Sequence, residues 1–154
     1  MVAVTLVVAA GVYTLSPWTV VAGDKPKGVV NTIGSPGVAI RGYDPVAYFK
    51  DGKATRGKAE HVAQYKGATW RFASAENKAT FEADPAKYEP VYGGYCAYGV
   101  AQGYLVKIDP NAWAIKDGRL YLNYDAGVQA TWAKDPLGYI KKANARWPKL
   151  IAKP

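Results

Sequence analysis

A small α+β domain is predicted from this sequence, assembled from short strands and short helices. Two runs of strand-forming residues each flank a two-residue turn, at Lys66-Gly67 and at Asp117-Gly118. Asp-Pro occurs at 44–45, 84–85, 109–110 and 135–136. An acid before proline suits a helix start, because the carboxylate accepts free N–H groups and proline has none to leave unmade. Strands and helices interleave without regular repeats, and a compact α+β domain is the class that fits.

Taken in order, residues 1–23 carry no charged side chain. A helix rising about 1.5 Å per residue would carry them across about 34 Å, enough for a bilayer core. Three readings compete: a retained transmembrane anchor, a cleaved secretory signal and a buried core helix. Val20-Val21-Ala22 before Gly23 is an acceptable cleavage site. Against a signal, the basic leader is missing, the apolar run is long and Ser16-Pro17 interrupts it. An anchor tolerates one proline where neighbours satisfy the freed carbonyl. The anchor is preferred, with the membrane as its partner.

Residues 24–36, rich in Gly, Pro and Lys, read as a linker, and 37–154 as the domain with a C-terminal extension. The first, second and fourth Asp-Pro pairs are expected to open helices ending near Gly52, Pro90 and Trp147. The third is expected to start a turn. The first hairpin pairs 61–65 with 68–72. Ser74 then caps a helix over 75–83, with Phe81 inward. The second hairpin pairs 112–116 with 119–124, and Asp125 caps a helix through Trp132.

Composition supports a packed domain: 49% of residues are hydrophobic, and twelve Tyr and five Trp imply a core of large rings whose polar tips need partners. The charge of +8 is spread without a dense basic run, so no nucleic-acid partner is expected. One asymmetry stands out. After Asp135 come Lys141, Lys142, Arg146, Lys149 and Lys153 with no acid, and each could add up to about 1 kcal/mol of attraction to an anionic membrane.

Cys96 and His61 each stand alone in the sequence, which excludes an internal disulfide, Cys-x-x-Cys redox chemistry and His-x-x-x-His metal sites. Cys96 lies in a Gly- and Tyr-rich stretch at a helix start, where a dipole could favour a thiolate. The alternative is a small buried side chain among aromatics. His61, on a strand, is a surface or hydrogen-bonded imidazole, or a second ligand beside Cys96 for one copper or zinc ion. The acids are accounted for as caps (Asp44, Asp84, Asp135) and a turn (Asp117). Ser74 is better explained as a cap than as a nucleophile served by His61, and no catalysis is expected. Tyr95, Tyr98 and Tyr104 are core rings or a protein contact.

Three stretches carry a family resemblance: Asp44-Pro45-Val46-Ala47-Tyr48, the run from Tyr65 to Ser74, and the run from Phe81 to Tyr88. Over roughly residues 37–100 they resemble the YHS domain. The stretch from Gly93 to Gly99 and the second hairpin are similar to its exported bacterial branch. The resemblance implies a small α+β domain, often exported, and hence a periplasmic position on the anchor. Lys25 and Lys27 pull weakly toward the cytoplasmic side. In the branch found beside heavy-metal pumps, cysteines stand where this chain has Ala47, Ala73 and Asn77. Soft metals favour thiolates, so that site is not expected here. The function expected is a membrane-anchored, non-catalytic accessory subunit of a membrane protein complex, without a cofactor. The alternative is an exported copper- or zinc-binding module using Cys96 and His61.

Overall fold

The computed structural model describes residues 29–152. It is an α+β domain of two antiparallel hairpins and several short helices. A 3-10 turn at Ala39–Gly42 leads to α1 (Pro45–Lys50), β1 (Lys58–Tyr65), β2 (Ala68–Phe72), α2 (Ala75–Ala83) and α3 (Pro85–Tyr88). A second 3-10 turn at Val91–Gly94 leads to α4 (Ala97–Gln102), β3 (Asp109–Lys116), β4 (Arg119–Asn123), α5 (Ala126–Ala133) and α6 (Pro136–Ile151). The anchor or signal expected at residues 1–23 lies outside the described residues. Among the described residues no helix is long and apolar enough to cross a membrane.

The sequence expectation of no regular repeat is corrected by the element order itself. Turn, helix, hairpin, helix, helix occurs twice, displaced by about 51–52 residues. The correspondence extends to backbone irregularities. Each 3-10 turn runs through left-handed residues, Ile40, Arg41 and Gly42 in the first and Tyr92, Gly93 and Gly94 in the second. Each hairpin turns through two positive-φ residues, Lys66-Gly67 and Asp117-Gly118, whose twist matches that of the paired strands. Each first strand bulges at the same place, between Lys58 and Val62 and between Asp109 and Trp113. The repeat is hard to read in the sequence because turn and cap positions persist while the packed side chains differ. Phe81 corresponds to Trp132, Trp70 to Tyr121, and Ser74 to Asp125.

Two departures concern boundaries. Asp109-Pro110 opens β3, while the Asp109 carboxylate still accepts from Asn111 N–H at 2.9 Å as in a turn. The helix expected to stop near Trp147 runs on to Ile151, with Pro148 inside its last turn and Ala152 N–H closing on the Pro148 carbonyl.

Residues 29–36, within the stretch expected to be a linker, lie against the domain. Asn31 is buried and joins the two left-handed turns. Its carbonyl accepts from Ile40 N–H at 2.9 Å, and its own N–H and side-chain amide donate to the Gly93 and Gly94 carbonyls. The core has two clusters, one around Tyr48, Trp70, Phe72 and Phe81 and one around Tyr92, Tyr95, Tyr121 and Trp132. Buried ring tips find partners as aromatic burial requires: Tyr48 hydroxyl donates to the Pro110 carbonyl at 2.7 Å and Trp70 indole to the Tyr65 carbonyl at 3.0 Å. Among the described residues the Trp132 indole N–H has no partner.

Candidate functional site

Asp44 is the centre of the first repeat. Its side chain is fully buried, and burying a carboxylate is tolerable only where donors replace water. Four do so. Oδ1 accepts from Val46 and Ala47 N–H at 2.8 and 3.3 Å, capping α1. Oδ2 accepts from Ala73 N–H at 2.8 Å and from the Asn77 amide at 2.7 Å. One side chain therefore ties the start of α1 to the end of β2 and to α2.

The sequence reading treats Asp44 as a cap alone and misses this role. A signal was available, however. Ala47, Ala73 and Asn77, the positions where the pump-associated branch carries cysteine, are the residues that converge on this carboxylate. The residues present do not fit a thiolate-bound ion. Two are methyl side chains, the third points a donating amide inward, and both carboxylate oxygens are taken by N–H groups.

Cys96 occupies the matching position in the second repeat, ahead of α4 as Asp44 is ahead of α1. The thiol is buried and serves as the N-cap, accepting from Gly99 N–H at 3.3 Å. It also donates to Asn123 Oδ1 at 3.6 Å, which in turn accepts from Tyr98 N–H at 3.0 Å. Asn123 is itself buried and donates to Gln129. Burial pushes the thiol pKa up, partly offset by backbone N–H groups of Gly99, Tyr124 and Tyr98. Desolvation thus outweighs the helix start that could have favoured a thiolate.

His61 is half-buried in the bulge of β1, in the first repeat, whereas Cys96 belongs to the second. Among the described residues no three His, Cys, Asp or Glu side chains cluster as metal ligands. Tyr95 is buried, its hydroxyl reaching the Val30 carbonyl at 3.5 Å and its ring lying 6.3 Å from Trp147. Tyr98 is half-buried against Tyr139. Of the three tyrosines expected at a contact, Tyr104 alone is open to solvent, at 65% exposure. A shallow groove of about 390 Å³ lies between β1 and α2, lined by Val62, Tyr65, Phe81 and Pro85 with Gln64, Lys78 and Glu82. Lys78 and Glu82 pair there at 3.8 Å.

Fold and hub together define a small α+β domain built from two similar halves, the first closed around a buried carboxylate. The YHS domain model matches residues 46–92, from α1 into the second 3-10 turn. The chain carries a YHS domain there. No curated protein and no solved structure matches the chain.

Proposed function

We propose that this is a membrane-anchored, non-catalytic YHS-domain protein acting as a binding or accessory subunit of a membrane protein complex, with the domain on the periplasmic side. The observation that carries the reading is the uncharged stretch of residues 1–23 joined to a domain whose reactive side chains serve the fold. Asp44 ties three elements together, while Ser74, Cys96, Asp125 and Asp135 all cap helices. A carboxylate saturated with N–H donors is a poor base, and a buried thiol with a raised pKa is a poor nucleophile. What such a domain offers a partner is surface. Tyr104 and Leu137, both well exposed, are apolar side chains suited to a contact.

The test is the native mass of the full chain extracted from its host membrane in mild detergent. The reading expects a particle larger than the chain and its detergent belt, and a monomer once residues 1–23 are deleted. A monodisperse monomer from the intact chain would remove the accessory role. Elemental analysis of the same material should find copper and zinc well below one ion per chain. One ion per chain, lost on Cys96→Ser, would replace this reading with a metal-binding one.

A further inference from the structure

The last helix is longer than its counterpart in the first repeat, sixteen residues against four. Its inner face packs into the second core cluster through Ile140, Ala143 and Trp147. Its outer face exposes Lys141, Lys142, Arg146 and Lys149, and no acidic residue follows Asp135 in the sequence. Among the described residues none of these four cations forms an ion pair, although lysines elsewhere in the domain find carboxylates at Glu76, Glu89 and Glu82.

The first described residues are linked to the inner side of this helix through Tyr92 and Tyr95. The Val30 carbonyl accepts from Tyr95, whose ring lies 6.3 Å from Trp147. Tyr92, whose turn is bound to Asn31, donates to Asn144 at 2.8 Å. The residues between Gly23 and Val29 can span at most about 20 Å when fully extended. They include Lys25 and Lys27.

We infer that the outer face of α6 docks on anionic lipid headgroups of the membrane holding the N-terminal segment. This rests on the anchored reading given above. Cations without a carboxylate partner attract lipid phosphates over roughly a Debye length of 8–10 Å. Docking fixes the orientation of the domain on the membrane.

The experiment reconstitutes the full chain into vesicles of phosphatidylcholine alone and of phosphatidylcholine with phosphatidylglycerol. Lysine acylation is then followed by mass spectrometry. Acylation of Lys141, Lys142 and Lys149 should be at least about threefold slower on the anionic vesicles, and the difference should vanish near 0.5 M salt, where screening is strong. Lys53 and Lys58 should react equally on both. In the variant Lys142→Glu with Arg146→Glu, Lys141 and Lys149 should lose their protection while the chain stays attached. Equal acylation on both vesicles, with the chain attached to both, would overturn the inference and leave the anchor standing. Attachment to anionic vesicles alone, with slowed acylation, would support the docking face and contradict the anchor. Attachment to neither would overturn both. Equal slowing by inorganic phosphate or a duplex DNA oligonucleotide without vesicles would also overturn it, assigning the face to a soluble anion or to nucleic acid.

Discussion

At the scale of single residues, the chain places two acceptors at corresponding positions, and they do related work by different chemistry. Asp44 accepts four N–H groups, and hydrogen bonds to a charged acceptor are stronger than neutral ones. Asp44→Asn sets an amide donor against those donors, and we expect a loss of about 2–4 kcal/mol in urea denaturation at pH 7. A loss below about 0.5 kcal/mol, typical of a surface site, would mean that the hub carries little of the fold. Cys96 is neutral, buried and raised in pKa. Cys96→Ala should cost about 1–2 kcal/mol, and the native thiol should react with iodoacetamide only when the chain unfolds. The pH dependence has a definite sign. The unfolded thiol ionises near its ordinary value of about 8.5, while the folded thiol keeps its proton to higher pH. Its contribution is therefore complete below that pH and falls as pH rises toward the folded pKa. The stability gap between the natural chain and Cys96→Ala should shrink between pH 8 and about 10 in paired urea titrations. The sequence makes Asp44 legible as a cap because Asp-Pro is a local signal. Its bonds to Ala73 and Asn77 depend on tertiary placement, which no local pattern reports.

At the scale of elements, the local signals are dependable where one dipeptide decides the conformation. Lys66-Gly67, Asp117-Gly118, Ser74 and Asp125 each end or begin an element where the sequence places it. The errors arise where two local preferences compete. At Asp109-Pro110 the acid makes a turn-like bond while the backbone enters a strand, and at Pro148 packing of α6 outweighs the proline. Glycines separate conformational from steric demands. Gly118 has φ +72° with open space around it, so Gly118→Ala should cost only the backbone penalty of about 1–2 kcal/mol. Gly94 has φ +84°, and a Cβ there would overlap Ile40 Cγ2 from the opposite turn. Gly94→Ala should therefore cost more than Gly118→Ala, by about 2 kcal/mol or more in matched thermal and urea melts, since the overlap must be relieved in a packed core. Equal losses at the two positions would show that the two left-handed turns are not packed as tightly as the structure places them.

At the scale of the whole molecule, the duplication of layout is what the sequence conceals most fully. Gly42-Tyr43 and Gly94-Tyr95 recur, as do Asp84-Pro85 and Asp135-Pro136, but the cores between them carry different rings. The YHS domain match ends at Tyr92, close to the junction. The halves are joined by Asn31, which bonds to both left-handed turns. That contact draws residues 29–36 into the fold, although they belong to the Gly-, Pro- and Lys-rich stretch 24–36 that reads as a linker. Tyr95 and Trp147 continue the join into α6, linking Val30 to the inner side of that helix. The anchored reading depends on residues 1–23 remaining with this domain. Its most direct measurement is the intact mass of the chain recovered from host membranes after an alkaline carbonate wash, which strips proteins held by charge alone. The account expects the chain in the pellet with its first twenty-three residues present. A soluble chain whose mass begins at Gly23 would contradict it and make the segment a cleaved export signal.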